Sequence, residues 1–184
     1  MNDGTDKIAE QVLILRCQIG DGEALSELIA RYSPGVRFYL RKLAGPAADD
    51  LLQETWFDVY RKINTLQQPA AFTTWLYRIA RDKAYRRLRR RPEAFLDQEL
   101  AESLAAQEEV FTPEDAAKVR EALEELPSEQ REVLVLRFIE DMTYEQIAEI
   151  IARPLGTVRS RIHYAKLALR ARLQATTIRK ELSP

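Results

Sequence analysis

The stretch Thr143–Leu169, TYEQIAEIIARPLGTVRSRIHYAKLAL, decides how the rest of the chain is read. It opens on Thr143-Tyr144-Glu145-Gln146, the pattern of a capping box. The threonine hydroxyl is placed to accept the Gln146 backbone N–H, while the Gln146 side chain reaches back to the Thr143 N–H. A short helix over 143–151 follows, bearing Ile147, Ile150 and Ile151, and the pattern breaks at Ala152-Arg153-Pro154. A second helix over 155–173 begins with proline near its first turn, where the missing N–H costs nothing. With successive residues turning about 100°, Val158, Ile162, Ala165 and Leu169 fall on one side of it. Arg159, Ser160, His163 and Lys166 fall on the other. Arg and Ser on a helix surface are ordinary by themselves. Capping box, tight turn, and a basic, hydroxylic face on the second helix together are what a helix-turn-helix needs to read a major groove. Arg159 suits a bidentate contact to a guanine edge, and Lys166 suits a phosphate.

Upstream, helical spacing runs through nearly the whole chain, with Pro127, Asp141-Met142 and Arg153-Pro154 separating helices predicted over 114–126, 128–139, 143–151 and 155–173. In the first half, Ile8, Val12, Leu15 and Ile19 form one stripe, ended by Gly20-Asp21-Gly22. Leu25, Leu28, Ile29 and Tyr32 begin a second helix, which Ser33-Pro34-Gly35 is placed to interrupt or kink. Val36, Tyr39, Leu40 and Leu43 carry it to Gly45-Pro46. Asp49 or Asp50 is placed to cap a third helix, with Leu52, Trp56, Val59 and Ile63 inward. Asn64 to Ala71 reads as a loop. A fourth helix runs from Thr73 or Thr74 to about Arg91, where Pro92 ends it. No strand signal and no internal repeat stand out. The fold class is therefore all-α: two small helical domains, 1–92 and 118–184, joined by an acidic linker over 93–117.

The 184 residues carry a formal net charge of −1, with an uneven distribution. Residues 1–92 hold 16 Lys and Arg against 11 Asp and Glu; residues 93–117 hold none against 8; residues 118–184 hold 12 against 10. Two basic ends around an acidic middle point to a polyanion partner for the ends. The fourth helix concentrates this charge. Its predicted inner face is Leu76, Ile79, Ala80 and Ala84, and its outer face is Trp75, Arg78, Arg81, Asp82, Tyr85, Arg86 and Arg89. Guanidinium groups interleaved with aromatic rings suit single-stranded or opening DNA, where an unpaired base stacks on a ring for about 1–3 kcal/mol. The same residues would also serve as a generic basic helix with Trp75 partly in the core.

One cysteine, Cys17, excludes an internal disulfide and reads as a small core residue. The N-terminus has no signal-peptide pattern, and no run approaches the roughly 18–20 apolar residues of a membrane span. The expectation is a cytoplasmic protein without membrane insertion. One histidine, no cysteine pair and no glycine-rich phosphate loop leave no catalytic or metal constellation, so neither enzyme activity nor a cofactor is expected.

Three segments together resemble the extracytoplasmic-function (ECF) sigma factors: DDLLQETWFDVYRKI (Asp49–Ile63), FTTWLYRIARDKAYRRLRRR (Phe72–Arg91) and LPSEQREVLVLRFIEDMTYEQIAEIIARPLGTVRSRIHYAKLAL (Leu126–Leu169). Each is moderately specific; their order and spacing make the resemblance strong. It implies a transcription initiation factor that directs core RNA polymerase to promoters and assists melting. Asp49, Asp50, Leu51, Gln53 and Glu54 would dock on the β′ clamp helices, although acids at a helix start also serve the helix dipole. Asn64 to Ala71, with Asn64 foremost, and the following helix would read the −10 element and capture a flipped base. The helix-turn-helix, through Thr157, Arg159, Ser160, His163, Tyr164 and Lys166, would read the −35 element and touch the β flap. The acidic linker would lie in the RNA exit path as an RNA mimic; a solvated spacer is the plain alternative. An anti-sigma factor is the implied inhibitor, and outside its complexes the chain is expected to be monomeric. Three departures stand out: the 64–71 loop reads NTLQQPAA where the family commonly has glycine- and acid-containing versions, Ala152 stands where the family commonly has glycine, with a penalty if φ is positive, and Tyr164 stands where arginine is frequent. The rival readings are a stand-alone helix-turn-helix regulator, which would need a dimer seam, and an interaction module or all-helical enzyme, which would leave the Trp75–Arg91 face unexplained.

Overall fold

The computed structural model describes residues 3–89, 119 and 122–181. The acidic stretch 93–117, Arg90, Arg91, Pro92 and most of the helix expected over 114–126 lie outside them. The chain divides into two compact units, the first built from residues before 93 and the second from residues after 92. Among the described residues every regular element is helical.

The first unit holds α1 (Asp3–Gln18), α2 (Gly22–Ala44), α3 (Ala48–Lys62) and α4 (Phe72–Arg89), with short 3-10 turns at Gly45–Ala47, Ile63–Thr65 and Pro69–Ala71. α1 ends in a glycine cap. Gly20 has φ 90°, its N–H donates to the Cys17 carbonyl, and the Asp21 N–H donates to that of Arg16. Asp21 then starts α2 by accepting the Glu23 and Ala24 N–H groups at 3.0 and 3.1 Å. Those backbone bonds and the Arg16 guanidinium hold its carboxyl below the usual range. α2 runs unbroken through Pro34, so the expected interruption is absent. Ser33 beside it accepts the Trp56 indole N–H at 2.9 Å, which ties α2 to α3.

α3 packs on both α2 and α4, and this widens its buried arc. Leu52, Trp56, Val59 and Ile63 are inward as the periodicity predicts, but Ala48, Leu51 and Thr55 are buried as well. α3 starts without a side-chain cap: Ala47 is the N-cap, and Asp49 and Asp50 lie in the first turn. The expected capping by either acid is therefore corrected, although both remain placed to offset the positive end of the helix dipole. On α1 the stripe picked out by periodicity stays outside; Leu13, Ile14 and Cys17 enter the core instead. Burial also pushes the Cys17 thiol up in pKa.

The second unit contains α5 (Ser128–Leu134), continued by a π-helical turn over Val135–Ile139, then α6 (Tyr144–Ile151) and α7 (Leu155–Glu181). α5 packs against α7. Leu126, Val133 to Leu136, Met142, Ile147, Ile150, Ile151, Val158, Ile162 and Ala165 are buried. Arg131 holds the turn before α5, donating to the Glu124 and Leu126 carbonyls at 2.8 Å each.

Candidate nucleic-acid interfaces

The start of α6 is fixed as its sequence demands. The Gln146 N–H donates to Thr143 Oγ1 at 3.2 Å, and the Thr143 N–H donates to Gln146 Oε1 at 2.9 Å, so both halves of the capping box form. The end of α6 repeats the geometry of α1: the Ala152 N–H donates to the Glu149 carbonyl and the Arg153 N–H to that of Ala148, a Schellman motif. Here the left-handed position is filled by alanine, with φ 52°. Pro154 precedes α7 rather than lying within its first turn, and its carbonyl accepts the Thr157 and Val158 N–H groups.

On α7, Arg159 and Ser160 are exposed and Thr157, His163, Tyr164 and Lys166 are half-buried. Arg159 forms no hydrogen bond or ion pair among the described residues. The Ser160 hydroxyl donates to the Thr157 carbonyl at 3.0 Å. His163 and Tyr164 meet edge to face at 5.4 Å, and Lys166 lies over the Phe138 ring. Arg161, on the flank, pairs with Glu129 at 2.7 Å and so ties α7 to α5. The outward edge at the start of α7 is thus Arg159 with Ser160, and Lys166 is drawn back toward the π-helical turn.

α4 presents a different surface. Arg78, Arg86 and Arg89 are exposed, and Trp75, Arg81 and Tyr85 are half-buried. The Arg81 guanidinium stacks over the Tyr85 ring at 4.2 Å. Arg86 and Arg89 donate through Nε to the Asp82 and Tyr85 carbonyls. Trp75 leans on Phe72, and Phe72 on Tyr32, at ring distances of 6.0 and 5.2 Å. Ile79 is at the edge of the inner face rather than within it.

Two contacts here escaped the sequence reading. Lys83, 9% exposed, lies inside the apolar arc of α4 and donates to Asp58 at 2.9 Å, with Glu54 at 3.6 Å. That hydrogen bond holds the Asp58 carboxyl below its usual range. A lysine within an apolar arc is itself a signal that a partner carboxylate is required. Gln18, at the end of α1, donates to the Ile63 and Leu66 carbonyls at 2.9 and 2.6 Å. It anchors the start of the 64–71 loop and leaves Asn64 exposed; no local pattern announces a contact so distant in sequence.

Of the residues assigned to polymerase docking, Asp49, Asp50, Gln53 and Glu54 are exposed. Asp49 pairs with Arg37 at 2.8 Å. Leu51 is 3% exposed and is withdrawn from that surface, because α3 is covered on two sides. Phe57 and Tyr60, further along α3, are also exposed. Among the described residues no cluster of His, Cys, Asp and Glu could hold a metal, and no helix is long and apolar enough to cross a membrane.

Residues 28–92 match the family Sigma-70 region 2, and residues 116–169 match Sigma-70, region 4. An ECF RNA polymerase sigma-E factor of Salmonella typhimurium is 34% identical over 186 residues, covering 92% of this chain and 97% of the relative. The chain belongs to the ECF sigma factors. It is therefore a promoter-directing transcription initiation factor, and the stand-alone regulator is not favoured. The fold is shared with CnrH, solved in complex with the cytosolic domain of CnrY, at TM-score 0.68 and 25% identity over 91% of this chain and 98% of that one. It is shared too with RpoE of Bartonella quintana, solved with the anti-sigma factor NepR, at TM-score 0.64 and 24% identity over 81% and 96%.

Proposed function

We propose that this sigma factor divides promoter recognition between its two ends. Residues 1–92 form a domain that docks on the polymerase β′ clamp helices and reads the −10 element. Residues 118–184 form a domain that reads the −35 element as duplex and touches the β flap. Residues 93–117 are the acidic linker between them. The observation that carries this reading is the exposed Arg159–Ser160 edge at the start of α7, just after a turn closed by the Ala152 and Arg153 backbone N–H groups. Thr157, His163, Tyr164 and Lys166 complete the −35 contacts. On the other domain, Asp49, Asp50, Gln53 and Glu54 face the clamp. Asn64, Trp75, Arg78, Arg81, Tyr85, Arg86 and Arg89 hold the opened strand, the cations on phosphate and the rings on unpaired bases. Opening follows from differential affinity: the α4 face binds single strand better than duplex and shifts the equilibrium by that difference.

In this reading the protein performs no chemistry of its own, acts in the cytoplasm and is held inactive by an anti-sigma factor, as NepR accompanies the Bartonella quintana protein. The test is run-off transcription with core polymerase over a promoter pool randomised at −35 and −10. Enrichment of one bipartite promoter is expected. Enrichment at neither element would overturn the assignment.

A further inference from the structure

α1 carries two apolar faces, and the fold uses one of them. Leu13, Ile14 and Cys17 are buried, whereas Ile8, Val12, Leu15 and Ile19 stay 64, 49, 50 and 85% exposed. On a helical wheel these four fall within about 60° of one another, opposite the buried three. Helical hydrogen bonding reaches the last of them, since the Ile19 N–H donates to the Leu15 carbonyl at 3.3 Å. Their alternating spacing of four, three and four residues is that of a coiled-coil seam. β-branched Val12 and Ile19 take the a positions, and Ile8 and Leu15 the d positions. Single exposed apolar residues need no explanation; a contiguous row on the solvent side of a helix does.

We propose, against the monomer that the family resemblance implies, that this row is a weak docking seam for a second copy of the same chain, with the two α1 helices antiparallel about a two-fold axis. The spacing reads the same in both directions, so reversal sets Ile8 against the second copy's Ile19 and Val12 against its Leu15. Such a self-complementary patch is what an isologous contact requires. The flanking seam positions, Ala9, Gln11, Arg16 and Gln18, carry one charge, and Arg16 is already neutralised by Asp21 at 2.7 Å. Nothing in the flank repels a second copy, and nothing there calls for a partner of opposite charge. The four side chains offer on the order of 400 Å² of apolar surface per copy. A pair would bury about 800–1,000 Å² in total, the size of a weak, reversible contact.

Sedimentation equilibrium of the full chain from about 1 μM to about 1 mM tests this. A monomer–dimer equilibrium within that range is expected, with Leu15→Glu weakening it at least tenfold. The position is half-exposed, so unchanged circular dichroism and melting should show that the variant folds. An Ile8→Cys chain mixed with an Ile19→Cys chain should form a disulfide-linked pair under mild oxidation, while the Ile8→Cys chain alone should not. A chain that stays monomeric at the highest concentration, or a dimer indifferent to Leu15→Glu, overturns the proposal. So does a monomeric chain in which Leu15→Glu weakens binding of core polymerase, because the seam then belongs to that partner.

Discussion

On α4 the cations are spread along three turns and braced by their own helix; on α7 Arg159 alone stands outward at the start, while Arg161 pairs with Glu129 and Lys166 lies over Phe138. Arg81 leans on Tyr85, and Arg86 and Arg89 each tether one guanidinium nitrogen to a carbonyl a turn earlier. Arg159, in contrast, has no such tether among the described residues, and the turn that leads into its helix is closed by backbone bonds at the end of α6. The first design suits a flexible strand whose backbone must be followed and whose bases vary in position. The second suits a rigid duplex edge, where one side chain must arrive at one place. The same residue type thus serves two purposes, and the difference lies in what is made rigid: the side chains on α4, the backbone around α7.

The comparison breaks most readily on α4. The double variant Arg81→Glu, Arg86→Glu should lose two charge-assisted contacts of about 1.5–3 kcal/mol each. Open-complex formation, followed by permanganate reactivity of unpaired thymines, should fall by two orders of magnitude or more, while binding of core polymerase changes little. Equal loss in both assays would show that α4 serves docking and not strand capture.

Lys83→Met probes the footing of the same face. It removes the ion pair that pins α4 to α3 and leaves Asp58 without its strongest partner. A lost hydrogen bond to a charged group costs about 1.5–3 kcal/mol, readable by urea unfolding at neutral pH. The sign of the pH dependence follows from the lowered Asp58 carboxyl. A depressed folded pKa contributes stability above the unfolded carboxylate value, about 3.9, and loses it as pH falls through the lower folded value. The gap between wild type and variant should therefore be full at neutral pH and close as pH falls below the ordinary carboxylate range, through the lowered Asp58 value. A gap that persists in acid would assign the loss to packing of the lysine stem.

On α7, Arg159→Ala should cost about 1–3 kcal/mol at one −35 base pair and little at the others, if its contact is bidentate. Transcription from a panel of single-base −35 variants measures this. A uniform drop across the panel would make Arg159 a phosphate contact, and the two cationic faces would then differ less than their geometry suggests.

How much of this was legible in the sequence depends on the range of the interaction that decides it. The capping box over Thr143 and Gln146, the turn after Ile151, and the inward set Val158, Ile162 and Ala165 follow from neighbours within a few residues. The errors lie where several elements compete for one helix. Leu51 is a shoulder residue that becomes core because α2 and α4 both cover α3. α1 offers two apolar arcs, and periodicity does not say which one the fold will take. Lys83 was readable, since a charge inside an apolar arc must be answered, but its answering acid, Asp58, lies on another helix. Gln18 was not readable, because its partners are carbonyls of a loop more than forty residues away.

The smallest expected effect sharpens the account of backbone rigidity. The ends of α1 and α6 share one hydrogen-bond pattern, with Gly20 at the left-handed position in one and Ala152 in the other. A left-handed conformation costs a residue with a β-carbon roughly 1–2 kcal/mol. Glycine gives back part of any gain through its greater freedom in the unfolded chain. Ala152→Gly should therefore stabilise by about 0.5–1 kcal/mol, and Gly20→Ala should destabilise by a similar amount, both seen as opposite shifts in urea midpoint. Ala152 is exposed, so no lost packing confuses the first measurement. If Ala152→Gly stabilises and leaves −35 selectivity unchanged, the turn is held by its hydrogen bonds and the alanine is only a cost. If selectivity blurs as stability rises, the alanine limits the motion of α7 against α6, and rigidity at that turn is part of how Arg159 finds its base.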